Sequence, residues 1–66
     1  MTPEEIRKYI LDQLGKMILL NAGLPSWRIA QNLGEPVEKV RKVLQKMSRK
    51  YEVAFYRETG VWAIRD

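Results

Sequence analysis

Sixty-six residues, with twelve Lys or Arg against eight Asp or Glu and a net charge of +4, bound this chain to one small domain spanning residues 1–66. With neither cysteine nor histidine, no disulfide framework, no thiolate or imidazole metal site and no histidine-activated nucleophile can be built. The composition therefore predicts a protein that is not an enzyme and holds no cofactor.

Apolar residues make up 45% and charged residues 30%, which suits a folded globular chain rather than a disordered one. No apolar run exceeds four residues, and Met17–Leu20 is one of them, far short of the roughly 20 needed to span a bilayer. The opening MTPEEIRKY has early acids and no hydrophobic region, so the expectation is a cytoplasmic protein with no membrane partner. The charge is unevenly placed: residues 39–50 contain six bases and no acid.

Turn signals divide the chain into four pieces. The first is predicted to be a helix from about residue 3 to residue 21. Thr2 can cap it, Pro3 suits its first position, and Glu4 and Glu5 complement the helix dipole. Ile6, Ile10, Leu14, Met17 and Ile18 recur at helical spacing, flanked by Tyr9 and Leu11, and Asn21-Ala22-Gly23 reads as the stop. A second, short helix is expected over 26–33, capped by Ser26, with Ile29, Ala30 and Leu33 on one face.

The turn Gly34-Glu35-Pro36 leads into a third helix over about 36–50, with Pro36 in its first position. Val37, Val40, Val43, Leu44 and Met47 form its apolar face. Two helices joined by a short Gly-containing turn match the helix-turn-helix description. The last piece changes period: 52–57 and 61–65 are rich in β-branched and aromatic residues around Glu58-Thr59-Gly60, which predicts a hairpin over about 52–65. Val53, Phe55, Trp62 and Ile64 are expected on its core-facing side.

This order resembles the winged helix-turn-helix superfamily over essentially the whole chain. The resemblance rests on Ile29-Ala30, Leu33-Gly34, Val40, Val43, Leu44, Met47 and Val61-Trp62-Ala63-Ile64. It implies a mainly α fold of three helices plus a C-terminal wing. It further implies a double-stranded DNA partner, with the third helix in the major groove and the wing on the adjacent backbone, as in a small transcriptional regulator associated with the nucleoid.

The Z-DNA-binding type of winged helix is similar in layout and also carries a tryptophan late in the wing, where this chain has Trp62. On the apolar positions of the third helix, its recognition Lys, Asn and Tyr fall at Val37, Arg41 and Gln45. Its wing proline pair is replaced by Thr59-Gly60-Val61. None of these matches, so the sequence speaks against left-handed DNA recognition.

Within the third helix, Glu38, Arg41, Lys42 and Gln45 lie in the turns that reach base edges, where Arg suits guanine and Gln suits adenine. Lys46, Arg49 and Lys50 lie later and are placed for phosphates, Lys39 is a further DNA contact on the helix, and Arg57 by the wing tip and Arg28 on the second helix are outlying contacts. Two observations compete with this reading. A charge run is commonly a solvated face, and Glu35 and Glu38 place carboxylates where DNA should approach, although they also complement the helix dipole.

The alternative function is a protein-interaction module on the same scaffold, docking a protein partner through Trp27, the wing aromatics or the first helix. Tyr9, Leu11, Leu19 and Leu20 exceed what one buried stripe needs. They are satisfied either by enclosure under the hairpin or by a homodimer through helix 1. A membrane-surface role is remote, because the 36–50 helix has no aromatic residue and its apolar face is required by the core.

Overall fold

The computed structural model describes residues 1–65. Helix α1 (Pro3–Lys16) opens on a reciprocal cap: the Glu5 N–H donates to Thr2 Oγ1 at 3.2 Å, and the Thr2 N–H donates to Glu5 Oε1 at 2.8 Å. Its Ile6, Ile10 and Leu14 are fully buried. The helix ends at Lys16, five residues before the expected stop at 21. The chain then tightens into one 3₁₀ turn (Ile18–Leu20), with Leu20 and Asn21 N–H groups bonding back three residues, and Asn21 takes a left-handed conformation.

The reason for the early stop is tertiary. The chain turns back so that Leu24 can pair with Trp62 of the hairpin, donating at 2.9 Å and accepting at 2.7 Å. Gly23 makes this approach possible, since a side chain there would overlap the Trp62 backbone carbonyl.

Helix α2 (Ser26–Leu33) starts from Pro25 as its N-cap, so Ser26 is the first helical residue and makes no capping bond, contrary to expectation. Its end is a Schellman closure. Gly34 sits at φ +70°, its N–H bonds Gln31 O, and the Glu35 N–H reaches back to Ala30 O at 3.1 Å. Helix α3 (Val37–Arg49) follows, with Pro36 at the N-cap rather than in the first turn. It closes the same way, with Tyr51 in the left-handed position that glycine fills after α2.

Strands β1 (Val53–Tyr56) and β2 (Val61–Ile64) pair antiparallel, with Val53 opposite Ile64 and Phe55 opposite Trp62. The connection is Arg57–Gly60, one residue longer than the sequence suggests. It is closed by the Gly60 N–H on Tyr56 O at 2.8 Å, with Gly60 at positive φ. Helix α1 packs on α3 and β2, α2 packs on α3, and α3 also supports β1. The core joins Ile6, Ile10 and Leu14 to Ile29, Ala30, Val40, Val43, Leu44, Met47 and Val53, with Trp62 and Ile64 packed against it. Phe55 does not join them. Although it sits directly opposite Trp62, it is half exposed, with its ring tilted against the Trp62 ring at 5.1 Å between centroids.

Candidate nucleic-acid interface

An amphipathic helix that buries Val40, Val43, Leu44 and Met47 must turn its remaining positions outward. In α3 those positions are almost all charged. Glu38, Arg41, Lys42, Gln45, Lys46 and Arg49 are exposed, and Lys39 is partly so. The structure therefore brings seven of the nine sequence-predicted contacts onto one helix surface. Arg57 is exposed in the wing turn and Arg28 is exposed on α2, each on a separate element.

The two glutamates at the head of α3 do different things. Glu38 is exposed and accepts from Arg41 at 3.1 Å, a local pair that neutralises one of the cations. Glu35 is mostly covered. Its carboxylate lies 2.7 Å from the Met1 ammonium and 3.6 Å from Lys39 Nζ, and the hydrogen bond from the ammonium holds its pKa below the usual carboxylate range. Glu35 is thus a joint between the start of α1 and the α2–α3 turn.

Among the described residues, Lys42, Lys46 and Arg49 have no ion-pair partner. A second polar joint lies beside them. Arg7 of α1 grips Glu52, with Nε donating to Oε1 at 3.1 Å and a shorter contact from Nη2 to Oε2, and this bond depresses the Glu52 pKa and raises that of Arg7. Pro3 enters the basic surface from α1, lining one depression with Lys39, Lys42, Lys46 and Arg49. Periodicity within α3 gave no sign of that neighbour, because it depends on how two helices pack.

A larger groove, of about 490 Å³, lies elsewhere, between the 3₁₀ turn and the wing, with Ile18, Ala22, Tyr56 and Val61 among its lining. Beside it Leu19 is 96% exposed and Leu20 72%, so the hairpin does not enclose the end of the first helix. Trp27 is 60% exposed on α2. Among the described residues, no helix is long and apolar enough to cross a membrane.

No protein-family model and no curated protein matches the chain. Among solved structures it is similar to Cyprinid Herpesvirus3 ORF112-Zalpha, in a structure described as the binding mode of that domain to Z-DNA. The two are 31% identical, with a TM-score of 0.77, over 92% of this chain and 93% of that one. The chain belongs to the Zalpha family.

Membership in the Zalpha family confirms the winged-helix fold and corrects the exclusion of this subtype of winged helix drawn from Val37, Arg41 and Gln45. Arg41 and Gln45 are exposed and Val37 is only partly buried. Substitutions at such positions usually change stability by no more than about 0.5 kcal/mol, so mismatches there carry little information about the fold. The fold of this chain is set instead by its core positions and by the Leu24–Trp62 pairing.

Proposed function

We propose that this Zalpha-family chain binds double-stranded DNA through the outer face of α3 and the wing, and that it selects the left-handed form. One observation carries the reading: the similarity, along nearly the full length of both chains, to a Zalpha domain described bound to Z-DNA. The outward cations supply the counterpart chemistry, since each Lys or Arg that meets a phosphate releases condensed counterions.

The positions expected to hold the recognition Lys, Asn and Tyr carry different donors here. Val37 offers none, Arg41 offers a guanidinium fork and Gln45 an amide. Binding then leans on phosphate contacts from Arg28, Lys39, Lys42, Lys46, Arg49 and Arg57 more than on shape read by an aromatic ring. Glu38 participates by holding Arg41 until DNA displaces it.

Circular dichroism of an alternating CG duplex, titrated with the protein, tests the proposal. The expected result is inversion of the spectrum to the left-handed form. Tight binding without inversion would overturn it in favour of a right-handed reading. That second reading draws on Arg41 and Gln45, whose side chains suit guanine and adenine edges in the major groove. It would make the chain a small transcriptional regulator, and a homodimer through the exposed Ile18–Leu20 turn would then give it a two-fold site. Docking of a protein partner through Trp27 is the remaining use of the exposed apolar surface.

A further inference from the structure

The outward residues of α3 fall on two flanks. At about 100° per residue, Val37, Arg41 and Gln45 run along one flank, and Lys42, Lys46 and Arg49 along another whose mean direction lies about 100° away. The second flank leads toward α1, because Lys46 also borders a cleft lined by Pro3, Glu4, Arg7, Lys50 and Glu52, whose two carboxylates are both held by Arg7. The two differ in charge as well as direction. Arg41 is neutralised by Glu38, whereas Lys42, Lys46 and Arg49 are unpaired among the described residues.

These three line a shallow depression of about 340 Å³ with Pro3, Val43, Gln45 at its border with the first flank, and Lys39, whose Nζ lies 3.6 Å from the Glu35 carboxylate; no acidic residue lines it. Like charges three and four positions apart on a helix repel one another. The fold gains nothing from that arrangement, and a bound polyanion would relieve it. From Lys39 to Arg49 the stripe spans about 15 Å, over which one strand of a B-form duplex presents about four phosphates. Three of its four cations are lysines, which act as mobile point charges and suit phosphates better than base edges.

We infer that Lys39, Lys42, Lys46 and Arg49 form a second nucleic-acid surface, distinct from the Arg41 flank, that holds a phosphate backbone without regard to base sequence or handedness. It gives a second role to cations that the left-handed reading also uses as phosphate contacts, and it does not require that reading to hold. A protein so equipped rests on ordinary right-handed DNA through one flank while the other tests conformation. Sequence-independent binding of this kind lets a protein slide and hop along a duplex.

The test uses a mixed-sequence duplex that stays right-handed, with binding followed by fluorescence anisotropy between about 50 and about 200 mM salt. Wild type binds with a steep salt dependence. Lys42→Gln/Lys46→Gln/Arg49→Gln lowers the slope of log K against log salt by about 3, roughly one per lost phosphate contact. Arg41→Ala/Gln45→Ala lowers it by no more than about 1. The charge-conserving Lys42→Arg/Lys46→Arg/Arg49→Lys keeps the wild-type slope, which separates charge from folding.

An unchanged slope in the triple Gln variant would overturn the inference and leave a solvated face. So would an equal loss in the Arg41/Gln45 variant, which means one surface, or a wild type that ignores the mixed duplex. Failure to invert the CG duplex sinks only the left-handed reading, because the mixed-sequence slope is read separately.

Discussion

The inner and outer faces of α3 are built on opposite terms. Inside, Val40, Val43, Leu44 and Met47 are at most 7% exposed, in a helix that packs against α1, α2 and β1. Outside, the same thirteen-residue helix carries five Lys or Arg and one Glu, with local ion pairs only where Glu35 and Glu38 are in reach. The comparison teaches that the two faces are nearly independent. The inner face fixes which fold forms, and the outer face is free to change what the fold touches. That is why a chain with Val37, Arg41 and Gln45 in place of the expected recognition residues still belongs to the Zalpha family.

The sharpest way to break the contrast is Leu44→Ala. Leu44 is completely buried at the centre of the core, and truncating such a side chain costs about 2–5 kcal/mol. Typical stability per residue gives a chain of this length about 3–10 kcal/mol in total, so one substitution removes a large part of it. Urea denaturation should show the loss as a shifted midpoint, while Lys46→Gln on the opposite face moves it by no more than about 0.5 kcal/mol. Equal effects from the two would mean that the outer face is structural.

A smaller effect is expected at Gly23, where the core meets the returning chain. Gly23→Ala forces a methyl group into the Trp62 carbonyl, and overpacking of this kind costs about 1–3 kcal/mol. Here the change is local. Faster hydrogen exchange at the Leu24 and Trp62 amides, which pair with each other, should accompany the lowered midpoint, with α3 amides protected as before up to the new global stability. Normal protection at Leu24 and Trp62 would show that the backbone can accommodate the methyl without losing the bridge.

What the sequence made legible follows the same division. The inner face was readable because it is periodic: Ile6, Ile10, Leu14, Val40, Val43, Leu44 and Met47 announce themselves by spacing, and all are buried. Gly34 and Gly60 were readable because positive φ favours glycine. The end of α1 was not, since the helix stops for a bond between Leu24 and Trp62, which lie 38 positions apart. Phe55 alternates correctly yet stays half exposed while its pair partner Trp62 packs on the core, because alternation gives the side of a strand and not which member of a cross-strand pair the core covers. Seven of the predicted contacts share one helix surface, as their spacing required. That Glu38 pairs with Arg41 and Glu35 with Lys39 while Lys42, Lys46 and Arg49 stay unpaired among the described residues depends on rotamers, and the placement of Pro3 on helix packing, none of which periodicity encodes.

The smallest of the expected effects concerns the polar joint that borders the basic surface. Arg7 holds the Glu52 carboxylate with two hydrogen bonds, and the pKa of Glu52 is lowered as a result. A carboxyl group with a lower pKa folded than unfolded contributes its full stability above the unfolded value, about 4.3, and loses it as pH falls through the folded value. The thermal midpoint should therefore be flat from about pH 7 down to about pH 5 and decline below that. Glu35 and Glu5, also lowered, add to the same decline. Glu52→Gln should start from a lower midpoint at neutral pH, show a shallower acid decline and approach wild type at the acid end. Because the pair is partly open to solvent, the neutral-pH loss should fall well below that of Leu44→Ala. A Glu52→Gln protein that keeps the whole wild-type acid slope would assign the pH dependence to the Glu35 and Glu5 joints instead.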